Sequence, residues 1–260
     1  MANKLEEIAA FKRLEVAEAK RVRPLGELER ELKHRPLPRG FAASIRRPGK
    51  LSLIAEIKKA SPSAGLIRLG ADAAEIAKIY SGAGVQAVSV LTDSKFFSGS
   101  LKDLSAAREK ISLPVLRKDF LLEEYQVVEA AAAGADAVLL IVAILDGPVL
   151  KRLLALTGDL SLDALVEVHS EPELQEALEA GARVIGVNNR DLGSLQVDLK
   201  TTERLMKKIP ADRVRVSESG IRLPADVEFV QAQGANAILV GEELMSSGDP
   251  AKKIQELMGW

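Results

Sequence analysis

From residue 51 onward the chain alternates between short apolar runs and longer stretches whose apolar positions recur at helical spacing. One pattern returns four times: Gly84-Val85-Gln86-Ala87-Val88-Ser89-Val90, Gly134-Ala135-Asp136-Ala137-Val138-Leu139-Leu140, Gly181-Ala182-Arg183-Val184-Ile185-Gly186-Val187 and Gly234-Ala235-Asn236-Ala237-Ile238-Leu239-Val240. A helix that stops on glycine and returns into a parallel strand reads this way, because a strand covered on both faces is apolar throughout. The glycines recur at intervals of about fifty residues, near the length of two βα units. Four further strand candidates lie between them, at 51–58, 113–118, 164–169 and 213–217, with helical stretches such as 72–80 and 173–178 in the gaps. Eight strands alternating with helices predict an α/β protein built as a single closed (β/α)8 TIM barrel, since open doubly wound sheets more often hold about five or six strands.

Ahead of the barrel, Leu5, Ile8, Phe11, Leu14 and Val16 form one apolar stripe and Leu25, Leu28 and Leu32 a second, separated by Pro24. Residues 1–46 are therefore expected to be an N-terminal helical extension packed on a barrel of residues 47–260, the whole forming one structural domain. A closed barrel leaves only its outside or its mouth for such stripes, and deleting residues 1–40 is expected to raise KM more than it lowers stability. The basic tract His34-Arg35-Pro36-Leu37-Pro38-Arg39-Gly40 reads as an extended connector, either a solvated face or an attractor of anionic substrate.

Two charges interrupt the first barrel strand. Residues two apart in a strand share a face, so Glu56 and Lys58 point one way while Ala55 and Ile57 point the other. A solvated edge strand is one reading. The other is a shared interior pocket, favoured by the small, hydroxyl-rich turn Ser61-Pro62-Ser63-Ala64-Gly65 that follows. Barrel chemistry belongs at the C-terminal ends of the strands. Those ends read, in order, Glu56 and Lys58, Thr92-Asp93, Arg117-Lys118-Asp119-Phe120, Ile141, Glu167, Asn188-Asn189-Arg190-Asp191, Ser217-Glu218-Ser219-Gly220 and Gly241-Glu242. Taken singly, Lys118 reads equally as a surface lysine, Glu167 as half of a structural ion pair, Asn188 and Asn189 as helix caps, and Arg190-Asp191 as a local salt bridge. Ser219-Gly220 and Gly241 present backbone amides ahead of predicted helices, which makes a phosphate ester the preferred substrate handle.

Composition narrows the classes. With 260 residues, 47% hydrophobic and 28% charged, the chain can fill one barrel core. A net charge of −1 gives no pull toward nucleic acid or an anionic membrane. No cysteine excludes disulfides and thiolate chemistry, and two histidines far apart, His34 and His169, predict no metal site. No apolar run approaches the roughly 18 residues of a membrane span, and the opening Met-Ala-Asn-Lys-Leu-Glu-Glu has no signal-peptide core. The expectation is a cytoplasmic enzyme acting on a phosphorylated small molecule, without nucleic-acid or membrane partners, as a monomer or else a weak homodimer.

Four segments together carry a resemblance: Ala55-Glu56-Ile57-Lys58-Lys59-Ala60-Ser61-Pro62-Ser63, Leu113-Pro114-Val115-Leu116-Arg117-Lys118-Asp119-Phe120, Val187-Asn188-Asn189-Arg190-Asp191-Leu192 and Val216-Ser217-Glu218-Ser219-Gly220-Ile221. They closely resemble the indole-3-glycerol-phosphate synthase family, over nearly the whole chain. That resemblance implies a cofactor-free lyase of tryptophan biosynthesis, which closes 1-(2-carboxyphenylamino)-1-deoxyribulose 5-phosphate to indole-3-glycerol phosphate with loss of carbon dioxide and water. It further implies Lys118 as general acid, Glu167 as base, Lys58 as partner of the substrate carboxylate or phosphate, and Glu56 in the proton-shuttling set. By the same resemblance Asn188 orients the intermediate, Ser61, Phe97, Phe120, Arg190 and Ser219 contact substrate, and the amides near Gly220, Gly241 and Glu242 hold the phosphate. Lys118 is expected to have a lowered pKa, through burial and through Lys58 and Arg117. Glu243 departs from the family pattern of a small residue and is expected to point outward. The runner-up, phosphoribosylanthranilate isomerase, relies on a Cys and Asp pair that this chain lacks; a barrel scaffold without activity is the reading outside the enzymes.

Overall fold

The structure, a computed structural model, describes residues 4–68, 70–191 and 193–260. Residues 1–3 of the expected extension and Leu192 of the Asn-Asn-Arg-Asp-Leu motif lie outside them. Eight parallel strands close into a barrel in the order β1 (Ser52–Ile57), β10 (Ala237–Val240), β9 (Val214–Glu218), β8 (Val184–Asn188), β7 (Asp163–Val168), β6 (Ala137–Ile141), β5 (Val115–Lys118) and β4 (Ala87–Leu91). Closure is made by β1, which pairs Ala55 with Val240 on one side and Ala55 with Val88 on the other. The hairpin β2 (Ala60–Ser61) and β3 (Gly65–Leu66) lies in the loop after β1.

Period-two alternation divides each strand between two apolar layers. Leu53, Ala55 and Ile57 pack outward among the surrounding helices, as do Val166 and Val168. Ile54, Leu116, Leu139, Leu165, Val216 and Leu239 fill the inner layer. Continuing that inner register toward the strand ends brings Glu56, Lys118, Glu167 and Glu218 onto the axis, so the same alternation that builds the core aims the polar groups into the mouth.

The N-terminal segment runs the height of the barrel. Helix α1 (Lys4–Val22) brings Leu5 and Ile8 into the inner apolar cluster together with Phe96, Phe97 and Phe120. Helix α2 (Leu25–Leu32) lays Leu28 against Tyr125 and Val128 on the barrel's flank. Helix α3 (Phe41–Ile45) buries Phe41 and Ile45 under the inner layer and closes the floor. Leu14 and Leu25 of the expected stripes are exposed, at 70% and 43%, while Lys12 is buried at 1%. The inward face of α1 is Leu5, Ile8, Ala9, Lys12 and Val16, so a lysine occupies a core position of the helix.

The basic tract is solvated at His34, Pro36, Leu37 and Gly40, while its two arginines are part-buried and bind backbone carbonyls. Arg39 donates to the carbonyls of Ile111, Leu113 and Arg108 at 2.7, 2.8 and 3.0 Å, and its amide donates to Asp136 Oδ1 at 2.8 Å. Arg35 donates to the Leu160 carbonyl. Carbonyls that emerge at the bottom of the barrel lack partners of their own, and guanidinium forks satisfy them.

Candidate active site

Glu56 leaves β1 pointing into the barrel mouth, with Lys58 Nζ 3.2 Å from its Oε1. Lys118, the last residue of β5, reaches across to two carboxylates: Glu167 Oε2 at 3.1 Å and Glu218 Oε2 at 3.4 Å. Asn188 Nδ2 donates to Glu167 Oε1 at 3.1 Å, while His169 Nε2 lies 3.3 Å from the same oxygen and His169 Nδ1 lies 3.1 Å from Glu173 Oε2. A buried carboxylate held by an ammonium, an amide and an imidazole is fixed in both rotamer and charge.

Environment drives the neighbouring carboxyls apart. Burial alone would raise Glu167, but the Lys118 ammonium and His169 outweigh it and hold its carboxyl well below the usual range. Glu218, equally buried, is pushed up to about 8, because burial and the charges of Glu167 and Glu56 exceed the help from Lys118. Lys118 differs from expectation. Burial opposes its charge, yet Glu167, Glu218 and Glu56 raise its pKa above the ordinary lysine value. Arg117 has no part in this, since alternation turns it outward to Asp119 at 3.2 Å and Glu129 at 2.9 Å. His169 is raised to about 10, burial being overcome by Glu167 and Glu173.

A cavity above these groups is lined by Glu56, Lys58, Phe97, Lys118, Phe120, Glu167, Asn188, Arg190, Glu218 and Ser219. A contiguous apolar recess between α1 and the loops adds Leu5, Ile8, Ser61 and Pro62. Phe97 and Phe120 face each other there at a ring separation of 6.0 Å. Ser61 lines this recess, but its hydroxyl accepts from the Ala64 amide at 3.1 Å and so serves its own turn.

On the other side lies a polar cradle formed by Lys58, Arg190, Ser219, Gly220, Gly241 and Glu242. Ser219 and Gly220 take φ of 67° and 81°, both left-handed, in the turn that lines this cradle. A side chain on Gly241 would overlap the Glu56 carboxylate, so glycine is required for the strand end to pass it. Helix α12 (Glu242–Met245) does start directly after Gly241, but α11 (Pro224–Ala232) starts four residues beyond Gly220, and Asp226 takes the Arg222 and Leu223 amides. The expectation of a helix N-terminus behind Gly220 is therefore corrected: only its turn faces the cradle. Glu243 is neutralised by Arg222 Nε at 3.4 Å and Lys253 Nζ at 3.6 Å. Arg190 pairs with Glu242 at 3.7 Å, whereas Asp191 caps its own loop through the Gly193 and Ser194 amides. Asn189 Oδ1 accepts from the Thr202 amide at 3.0 Å, near the start of α10 (Lys200–Met206), the capping role.

Every residue expected in the site lines one of these three spaces. Sequence reasoning gave no role to Glu218 or His169, although they lie two residues past inward-facing Val216 and Glu167, nor to Lys12, which stands four residues from both Ile8 and Val16 on the inward face of α1.

A polar cradle joined to a pocket in which Lys118 lies between a carboxyl held in its charged form and one pushed toward its neutral form fits an acid/base enzyme among the phosphate-handling barrels. Within that class, the chain belongs to the indole-3-glycerol phosphate synthase family, whose model matches residues 5–257. It is 47% identical to the indole-3-glycerol phosphate synthase of Mycolicibacterium smegmatis over 99% of this chain and 94% of that protein. It is 48% identical to that of Caldanaerobacter subterraneus subsp. tengcongensis over 93% of each. Among solved structures, 3-hexulose-6-phosphate synthase from Salmonella typhimurium superposes with a TM-score of 0.65 at 15% identity, covering 80% of this chain and 97% of the other, a likeness of fold alone. Among the described residues, no helix is long and apolar enough to cross a membrane.

Proposed function

We propose that this chain closes 1-(2-carboxyphenylamino)-1-deoxyribulose 5-phosphate to indole-3-glycerol phosphate, releasing carbon dioxide and water, with the acid and base work divided between Lys118 and Glu167. The observation that carries the division is the position of Lys118 between Glu167 and Glu218, open to the cavity that joins the aromatic recess to the phosphate cradle.

The substrate spans that length: the arylamine between Phe97 and Phe120, the ketone at Lys118, and the phosphate at Ser219, Gly220, Gly241 and Glu242 with Lys58 and Arg190 beside it. The ring carbon bearing the carboxylate attacks the ketone carbon, and the ketone oxygen takes a proton from the Lys118 ammonium to become a hydroxyl. Loss of carbon dioxide restores the aromatic ring. The hydroxyl then leaves as water with a second proton, while Glu167 removes the proton from the carbon next to nitrogen, forming the indole double bond. Lys58 stands where recess and cradle meet and pairs with the substrate carboxylate or the phosphate; Glu56, 3.2 Å from it, orients it and shares its protons. Asn188 holds Glu167 and thereby the intermediate above it. No cofactor enters this sequence. A cytoplasmic monomer is the proposed working form, supported by a cysteine-free chain that supplies all of these groups itself.

The test is to mix the protein with that substrate and follow indole fluorescence, with inorganic phosphate as competitor. Fluorescence that grows, and is inhibited competitively by phosphate, supports the reading. A folded protein giving no indole product overturns it.

A further inference from the structure

The most deeply buried cation on the N-terminal segment is not among the groups that meet the substrate. Lys12 of α1 is 1% exposed and its ammonium lies 2.8 Å from Asp93 Oδ2 and 2.9 Å from Asp119 Oδ1, both residues themselves buried; Glu15 of the same helix is 2.9 Å away. Burial works against its charge, but Asp119 and Asp93 more than offset this and hold its pKa above that of a free lysine. Burying an ammonium at a helix–loop contact is costly unless its partners are fixed in place, and a methionine would fill the same volume without that cost.

Each partner begins a loop that builds the aromatic recess. Asp93 ends on the N-cap of α5 (Ser94–Phe97): its Oδ1 accepts from the Phe96 amide at 2.7 Å, and Phe97 closes that short helix. Asp119 follows Lys118 in the chain and accepts from the Phe120 amide at 2.8 Å, while its other oxygen is held by Thr92 Oγ1 at 2.6 Å and Arg117 Nη2 at 3.2 Å. One ammonium thus clamps the segment carrying Phe97 to the segment carrying Phe120. It also clamps both to α1, whose Ile8 and Leu5, one and two turns away on the same face, roof the recess.

Resting on the function proposed above, we infer that Lys12 is a positioning residue for the arylamine end of the substrate, setting the separation of Phe97 and Phe120 beneath Leu5 and Ile8. Its effect runs through Asp93 and Asp119, neither of which lines the phosphate cradle, whose Ser219, Gly220, Gly241 and Glu242 come from other strand ends.

Lys12→Met keeps the side-chain volume and removes the clamp. In the full chain, KM for the carboxyphenylamino-deoxyribulose phosphate is expected to rise about tenfold, while kcat falls less than KM rises and the inhibition constant of inorganic phosphate moves by less than about twofold. Asp93→Asn is the companion variant, since asparagine still caps α5 but offers Lys12 no charge; Lys12 keeps Asp119, and the same selective rise in KM is expected. A purely structural ion cluster would lower the melting temperature and leave the KM of the folded protein unchanged, and that result, in either variant, overturns the inference. So does a parallel rise in the phosphate inhibition constant, which would mean general loosening. Should Lys12→Met not fold, Asp93→Asn decides alone. A wild-type protein that makes no indole product sinks the proposed activity instead, a separate outcome.

Discussion

At the scale of single residues, the site works by giving like groups unlike environments. Glu167 and Glu218 both face Lys118, yet one is locked in its charged form and the other is pushed toward its neutral form, which supplies a carboxylate base and a carboxylic acid within one cavity. On the proposed division of roles, Lys118 gives its proton to the departing oxygen and acts mainly in the transition state, so Lys118→Ala is expected to lower kcat by about 10²- to 10⁴-fold with little change in KM. Steady-state indole formation checks this, and a variant keeping most of its kcat would shift the acid role to Lys58. Glu218 gives a stability test with a defined sign. An unfolded glutamate loses its proton near about pH 4.3, whereas the folded residue holds it to about 8. Between those values the native state carries a proton that the unfolded state does not, so stability falls as pH rises across the window. Glu218→Gln cannot release a proton, and its melting temperature relative to wild type is expected to climb from pH 5 to pH 8. A difference that stays flat over that range would show that Glu218 titrates normally.

At the scale of elements, the sequence announces whatever repeats and conceals whatever is solved by a single long-range contact. The helix-ending glycines and apolar runs gave all eight barrel strands, and β9 differed from its expected span by one residue at each end, enough to bring Glu218 into the strand. Alternation in β1 set Glu56 and Lys58 on one face, and the interior reading of that face is the one the barrel adopts, because the same period governs core and site. Lys12 was missed for the opposite reason: its spacing from Ile8 and Val16 places it on the apolar face, but its partners Asp93 and Asp119 arrive only from distant loops. The lowered pKa expected for Lys118 failed likewise, since three facing carboxylates come from three other strands. Arg39 is a further case, a charge in a basic tract that serves as a floor bolt. Arg39→Ala unpairs three carbonyls under the barrel and is expected to cost on the order of 2 kcal/mol of stability in denaturant unfolding, with kcat and KM unchanged, because the floor lies at the far end from the chemistry. A stability equal to wild type would mean that water replaces the guanidinium there at no cost.

At the scale of the whole molecule, the N-terminal segment is a strap from mouth to floor rather than an appendage. Its first helix roofs the aromatic recess, its second covers α7 (Glu124–Ala132) on the flank, and the connector and α3 plug the bottom. Removing residues 1–40 is expected to lower stability as well as to raise KM, because it also strips the Arg39 bonds and leaves Asp93 and Asp119 without the Lys12 ammonium. The cleaner cut removes residues 1–22 alone, leaving α2, Arg39 and α3 in place. That variant loses Leu5 and Ile8 from the recess and Lys12 from the clamp, while the cradle residues, all between 58 and 242, remain. Taking the Lys12 ammonium from buried Asp93 and from Asp119, which keeps Arg117, should lower its stability, yet the closed ladder of eight strands does not pass through α1, so circular dichroism is expected to show an intact barrel. Its KM for the carboxyphenylamino-deoxyribulose phosphate is expected to rise by about tenfold or more, with the inhibition constant of inorganic phosphate held within about threefold. The two constants separate the ends of the substrate: if both rise together, the strap supports the mouth as a whole, and if neither rises, α1 does not reach the bound molecule.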